Sequence, residues 1–405
     1  MTAYTEKQYV EEMIATRRKI HQTPEEGWTE FQTTWLVAER LRALGLKVLL
    51  GTQVINPKAV MGRDPKLVEA AIKRALAAGV PQSFIDETGG YTGAVAVLET
   101  GRPGPVTAFR SDMDCVLVTE SDSPDHLPTA CGFSSKRPGF MHACGHDGHT
   151  SVALEVCRWL VDHKDQLKGT IKVLFQPAEE GTGGALAMIK DGLFERFPMD
   201  EIYGMHNWTD VEPGTFSVKS GAAMAGSDFF TIKLYGKGAH GSAPQLSADA
   251  ALAASLVTVA LQQIVARNVA PLDSAVVSVT KIHTGSAFNI IPQEAELGGC
   301  TRFFSSETGS MLRRRIEEVA VSTAAACGVK AEVEFESIYA VLDNVPQLAE
   351  AMKKAAAAVV GEAKTQWAAN PQMGSEDFSF MLEKVPGAYC FLGGQAPHGA
   401  TNLHN

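Results

Sequence analysis

The chain has no excess of basic residues, no paired cysteine spacing and no apolar segment at its start, and each absence removes a class of function. Lysine and arginine number 36 against 46 aspartates and glutamates, a formal net charge of −10 over 405 residues. That balance gives no non-specific attraction to nucleic acid or to an anionic membrane, so neither is expected as a partner. The seven cysteines, at 115, 131, 144, 157, 300, 327 and 390, are odd in number and never spaced CxxC. Both a disulfide framework and a ribbon-type zinc site are disfavoured, and reduced thiols, mostly small core fillers, are expected. The opening "MTAYTEKQYVEEM" carries charges where a signal peptide needs apolar residues, and no apolar run is expected to reach the length of a membrane span. A cytoplasmic enzyme is the resulting expectation. A G-x-S-x-G nucleophile elbow is missing too, as are internal repeats and low-complexity tracts.

What is present reads as a globular chain, 45% hydrophobic and 20% charged, and long enough for two domains. Residues 6–45 have helical apolar spacing, and "DPKLVEAAIKRALAAG" predicts a helix opened by Asp-Pro and closed by glycine within a polar insertion at 56–90. After that insertion, strands and helices alternate. "GAVAVLET", "VTAFRSDMD", "TIKVLFQPAEE", "EIYGMHNW" and "AYCFLGG" are strand-like, while 149–163 and 347–360 are helix-like. This alternation predicts an α/β fold, a mostly parallel sheet flanked by helices, with functional groups at the carboxyl ends of its strands. Residues 221–336 instead run strand, helix, two strands, helix, strand. That is the β-α-β-β-α-β order of a ferredoxin-like domain inserted into a first domain formed by 1–220 and 337–405.

The chemistry gathers at strand ends. "FMHACGHDGHT" packs His142, Cys144, His146, Asp147 and His149 in front of a helix, where a thiolate and imidazoles could ligate a divalent ion. On this stretch alone, a capping loop with one buried cysteine is an equal alternative. "FQPAEEGTGG" places Glu179 and Glu180 side by side, so one carboxylate can hold metal while its neighbour addresses water. A solvated turn is the bland alternative there. His206 closes the strand "YGMH", and His404 is the penultimate residue. Together Cys144, His146, Glu180, His206 and His404 make five donors, enough for two ions sharing one bridge. A Cys144–histidine nucleophile pair is the rival, but it leaves Glu179, Glu180, His206 and His404 without a purpose. In the inserted domain, His240 and Asn289 could stabilise an oxyanion and Arg302 could hold a carboxylate, if that domain closes over the site.

These residues resemble the M20 family of metallopeptidases and amidohydrolases over nearly the whole chain. The resemblance rests on "RRKIHQTPEEGWTEFQTT", "FRSDMD", "MHACGHDGHT", "FQPAEEGTGGALAMIKDG", "GMHNW", "GKGAHGSAPQ", "NIIP" and "MGSEDFSFML". The 51–110 region is similar to the A subunit of aminobenzoyl-glutamate hydrolase, and the later half to hippurate hydrolases. The resemblance implies two divalent ions, zinc or manganese, with Cys144 bridging and His146, Glu180, His206 and His404 as the other ligands. Glu179 would be the general base, Asp114 would orient the site, and His240, Asn289 and Arg302 would bind substrate. His142, Asp147 and His149 would support the ligands. The implied reaction is hydrolysis of an N-acyl or N-aroyl amino acid; the alternatives are a dipeptidase, a carboxypeptidase or a metal-poor binding subunit. A homodimer through the 221–336 lid is expected, or pairing with a related subunit. Cys115 stands where relatives carry alanine, a packing change. Relatives continue into a closing helix beyond the position of His404, so this ligand is expected to be loosely tied and the second ion weakly held.

Overall fold

The structure is a computed structural model and describes residues 4–190, 192–394 and 403. Its contacts divide the chain into two compact units. One comprises Met1–Gly221, Asn344–Ala369 and Phe380–Asn405; the other comprises Ala222–Asp343 and Asn370–Ser379.

In chain order the first unit opens with α1 (Glu6–Gln22), α2 (Phe31–Ala43) and β1 (Lys47–Leu50). Thr5 starts α1 with a capping box, exchanging hydrogen bonds with Gln8. Next come α3 (Pro65–Ala77), α4 (Gln82–Thr88), β2 (Ala94–Glu99) and β3 (Val106–Asp112). The Asp-Pro signal works as expected: Asp64 accepts the Lys66 N–H at 2.8 Å and Pro65 occupies the first turn. The unit continues with α5 (His146–Asp162), β4 (Thr170–Gln176), α6 (Glu179–Thr182), β5 (Glu201–Trp208) and β6 (Phe216–Val218). The second unit contributes β7 (Gly226–Tyr235), β8 (Ala239–His240), α7 (Ala250–Leu261), α8 (Gln263–Asn268), β9 (Ala275–Thr284), β10 (Ile290–Ile291), β11 (Glu294–Phe303), α9 (Ser306–Ala326) and β12 (Lys330–Tyr339). The chain then returns through α10 (Pro346–Val360), β13 (Thr365–Trp367) and β14 (Gly387–Gly393).

The first unit is built on an eight-stranded sheet of order β1-β2-β4-β3-β5-β14-β6-β13. Its centre, β4-β3-β5-β14, is parallel, while β1 and β2 on one side and the β14–β6 pair on the other are antiparallel. The mostly parallel sheet is therefore present with antiparallel flanks. Strand β4 is buried almost throughout, as expected of a strand covered on both faces. Phe31, Val37 and Leu41 of α2 and Leu154 and Cys157 of α5 pack with Val173 and Phe175 of β4 in one core.

The second unit carries a four-stranded antiparallel sheet of order β9-β11-β7-β12, the β-α-β-β-α-β arrangement. Its core joins Phe230, Ile232, Leu234 and Leu297 of the sheet to Val257 and Leu261 of α7 and Leu312 and Ile316 of α9. One expectation needs correcting. Ala250–Asn268, 19 residues, is long and apolar enough by length and composition to cross a membrane, with a mean hydropathy of 1.5 over an 18-residue window. Here it is interrupted at Gln262, and Ala250, Ala253, Ala254, Val257, Leu261 and Ile264 form a buried stripe at three- and four-residue spacing. Its high hydropathy comes from leucines, valines and an isoleucine set among alanines, one face of which packs in the core of the second unit.

A fully buried Asp228 anchors this unit. Its carboxylate accepts Arg313 Nε at 2.7 Å, Arg313 Nη2 at 3.0 Å and the Ser337 hydroxyl at 2.7 Å. Removing one partner of such a pair strands a buried charge. Asp228→Ala should cost about 2–3 kcal/mol, discounted because Arg313 is partly solvated. Urea denaturation of the purified variants checks this figure, and an unchanged midpoint would show the pair to be dispensable.

Candidate metal centre

Three adjacent strand ends and one helix start deliver the polar side chains of the first unit. Because β3 lies between β4 and β5, residues just past its end can reach the carboxyl ends of both neighbours. Asp112 ends β3, Asp114 stands two residues on, Glu179 and Glu180 come just after β4, and His206 lies near the end of β5. Helix α5 begins at His146, earlier than its apolar pattern alone indicates, so His146 and His149 share its first turn and one face. Gly145 caps it at φ +90°, and a side chain there would collide with Asn207.

Within this unit, two groups of potential ligand atoms lie within 4.8 Å of one another: Cys144, His146 and Glu180, and Asp112, His146, His149 and His206. Cys144 Sγ is 3.4 Å from His206 Nε2, and His146 Nε2 is 3.9 Å from Glu180 Oε1. Four of the five expected ligands thus converge. His404 lies outside the described residues. Asp114 is fully buried and meets His146 Nδ1 at 3.3 Å through one oxygen, while the other accepts the Glu180 N–H at 2.9 Å. Glu179, the neighbour of Glu180, is buried as well.

The hydrogen bonds determine which nitrogens are available. His206 Nδ1 donates to the Asn207 carbonyl at 2.5 Å, leaving Nε2 with its lone pair towards Cys144. Nδ1 of His146 is engaged by Asp114, and its buried Nε2 has no hydrogen-bond partner among the described residues. His149 differs: its Nδ1 donates to Asp112 at 2.6 Å while its Nε2 accepts the Asn207 N–H at 3.0 Å. Both of its nitrogens are committed, so His149 supports the cluster without offering a ligand atom. Sequence reasoning gives Asp112 no role of its own. The signal is the S-D-M-D pattern, whose two acids recur at the strand period of two and face the same way.

The electrostatics favour a cation. Burial pushes His146 down, but the charges of Asp112 and Cys144 and the Asp114 hydrogen bond outweigh it and hold it well above the usual range. Burial pushes Asp112 up, yet His146, His149 and Arg110 hold it well below. His206 is kept neutral by burial and by neighbouring His149. A site that pulls a proton onto a buried imidazole also attracts a metal ion. Two ligands on one tetrahedral zinc, at Zn–S and Zn–N bond lengths, stand about 3.5 Å apart. The Cys144–His206 separation of 3.4 Å fits that.

The remaining predicted residues lie on the second unit. The β8–β10 ladder pairs His240 with Ile290, so Asn289 is nearby, and the Gly241 N–H donates to the Asn289 carbonyl at 2.8 Å. His240 and Asn289 are exposed, and Arg302 donates to the Ser375 hydroxyl at 2.6 Å.

A buried thiol, imidazoles and carboxylates at the strand ends of a largely parallel sheet describe a metal-dependent hydrolase. Comparison with known proteins makes the class specific: the pattern of peptidase family M20/M25/M40 matches residues 108–405, and the chain belongs to that family. It is 36% identical over 376 residues to a hippurate hydrolase of Campylobacter jejuni, covering 93% of this chain and 86% of that one. It is also 36% identical over 325 residues to a homolog, from Haemophilus influenzae, of one of the subunits of p-aminobenzoyl-glutamate hydrolase, covering 80% and 75%. A dinuclear metal-binding peptidase of the M20 family from Bacillus subtilis superposes with a TM-score of 0.76 at 29% identity, covering 99% of this chain and 92% of that one. The protein is thus a metal-dependent amidohydrolase or peptidase.

Beside the cluster, Asp147 on α5 is clamped by His21 and Arg17 of α1, each at 2.8 Å. His21 Nε2 also meets Glu120 at 3.0 Å, so both ring nitrogens face carboxylates, an arrangement that favours the protonated ring. Burial lowers its pKa, but the Asp147 and Glu120 contacts outweigh this and the net shift is upward. A raised folded value stabilises the protein fully below the ordinary histidine range, and the gain is lost as pH rises through the folded pKa. His21→Asn should therefore lose most stability near pH 6, with the gap to wild type narrowing at alkaline pH. Thermal unfolding across pH tests this; a pH-independent gap would contradict it.

Proposed function

We propose that this protein hydrolyses the amide bond of N-acyl or N-aroyl amino acids, of the aminobenzoyl-glutamate or hippurate type. The observation that carries the reading is the convergence of Cys144, His146, Glu180 and His206 in one buried cluster next to Glu179, in a chain of the M20 family. Cys144, His146, Glu180, His206 and His404 would hold two divalent ions, zinc or manganese. Bound there, such ions acidify a water and polarise an amide carbonyl. Glu179 accepts the proton of the attacking water and returns it to the leaving amine. Asp114 holds His146 and the Glu180 backbone in place. On the second unit, His240 and Asn289 would stabilise the oxyanion and Arg302 would take the substrate carboxylate bidentately.

The hippurate and aminobenzoyl-glutamate hydrolase names among the relatives support this substrate class, and the peptidase name of the family keeps a dipeptidase or carboxypeptidase as the second reading. A panel of N-aroyl amino acids, N-acyl amino acids and dipeptides with added Mn²⁺ or Zn²⁺ separates the two. Glu179→Ala should lower turnover by at least about 100-fold while metal content stays near wild type. Retained activity in that variant would sink the mechanism, and a wild type that binds no metal would favour a non-catalytic subunit.

A homodimer through the second unit completes the proposal; the alternative partner is a related subunit. Leu252, Leu256 and Val259 support it, forming an exposed apolar stripe along α7 at 53%, 44% and 71% exposure. Leu256→Glu should shift the mass in sedimentation from dimer to monomer; an unchanged mass would place the contact elsewhere. The cysteines, seven in number and never spaced CxxC, fit a reducing cytoplasm.

A further inference from the structure

The segment "EEGWTE", residues 25–30, does no chemistry in the proposed reaction, yet it touches the turn that carries Glu179 and Glu180. That turn begins with Ala178, whose backbone is left-handed at φ +57°, ψ +44°, one of two non-glycine residues with positive φ among those described. A side chain disfavours this conformation, so neighbouring structure must hold it. Glu30 supplies the hold. One oxygen accepts the Ala178 N–H at 2.8 Å and the other accepts the Thr92 hydroxyl at 2.7 Å, with the carboxyl completely buried.

Gly27 supplies the space. A methyl group there would lie 2.6 Å from Thr182 Oγ1 and 3.1 Å from Ala178 Cα, so the loop fits against the turn only without a side chain. Trp28 is buried, sits at φ +67° and donates from its indole N–H to the Met61 carbonyl at 2.8 Å, which fastens the loop in turn. After Ala178 the backbone departs from helix at Glu180 (φ −69°, ψ 77°) and Gly181 (φ 74°, ψ 6°). Where the two carboxylates point therefore depends on how Ala178 starts the turn.

We propose that Glu30 is a positioning residue for the catalytic turn: by fixing Ala178 in its left-handed conformation it aims Glu179 and Glu180. This rests on the roles proposed above for those two residues. The requirement is for two hydrogen bonds rather than a charge. Burial, reinforced by the Asp114 carboxylate, raises the Glu30 pKa well above the usual range, which agrees with a neutral group in this place. Glutamine can keep both contacts, its carbonyl accepting from Ala178 and its amide donating to the Thr92 hydroxyl, which then accepts instead of donating.

The test compares Glu30→Ala, Glu30→Gln and the double variant Glu30→Ala/Ala178→Gly. Glu30→Ala should let Ala178 return to negative φ in a crystal structure of the metal-free protein. It should weaken Mn²⁺ or Zn²⁺ binding, measured by competition with a chromogenic chelator, about 10–100-fold, and lower kcat with little change in KM. Glu30→Gln should remain close to wild type in every readout. The double variant should recover part of the loss, because glycine adopts the left-handed conformation without strain. If Glu30→Ala does not fold, Glu30→Asp, too short to span both partners, takes its place with the same expectations. Ala178 unmoved with wild-type metal affinity in the truncated variant would overturn the proposal, as would Glu30→Gln as impaired as Glu30→Ala. A wild type inactive on every amide would refute the proposed function instead, while the crystal structure still decides the role of Glu30.

Discussion

The arrangement of the site depends on the two hydrogen bonds of Asp114. One of its oxygens meets Nδ1 of His146 and the other accepts the backbone N–H of Glu180. Through this one fully buried carboxylate, the end of β3, the start of α5 and the turn after β4 acquire a common reference. Sheet order makes this feasible, since β3 lies between β4 and β5 and a side chain just beyond it is within reach of both neighbours. With Nδ1 engaged, His146 can present only Nε2 to the cluster, so its coordinating atom is selected by the protein fold.

The same reasoning separates ligands from supports within a dense group of imidazoles. His146, His149 and His206 have ring centroids 4.5 to 5.7 Å apart, close enough that residue type and distance alone would admit all three. The backbone of Asn207 distinguishes them. Its carbonyl accepts the hydrogen bond of His206 Nδ1 and frees Nε2, while its N–H occupies Nε2 of His149. One residue thereby turns one histidine towards Cys144 and retires another into holding Asp112. The acceptors Asp112, Asp114, Cys144 and Glu180 outnumber the cations among them. The elevated proton affinity of His146 expresses that shortage of positive charge.

Much of the fold could be read from pattern because each pattern reports a local physical demand. Asp64 and Pro65 open a helix since a side-chain acceptor and a missing N–H suit its first turn. The main strands and helices between 226 and 339 follow from apolar periodicity switching between two and about 3.6 residues. What pattern does not contain is the direction of pairing. "GAVAVLET" is as apolar as the parallel strands beside it, yet β2 runs antiparallel to β4. Hydropathy misleads similarly at Ala250–Asn268, where leucines, valines and alanines, one face of them packed in the core of the second unit, raise the mean to that of a membrane span.

The candidate site was legible as a set of donors and illegible as a set of contacts. Cys144, His146, Glu180 and His206 stand out because thiol, imidazole and carboxylate recur at strand ends, a pattern with few purely structural explanations. The contacts that orient them arise from residues far away in the chain. His21 reaches Asp147 across 126 positions, and Glu30 reaches Ala178 across 148. In the sequence these acids and histidines look like the solvated face of an N-terminal helix and its loop. In the structure they are buried, and burial changes what they can do. A carboxylate in water bonds to whatever is near, whereas a buried one must be satisfied by specific partners and therefore constrains them in return. The N-terminal segment contributes to the site through that constraint: it offers no ligand, and it limits the conformations open to the turn and the helix that do.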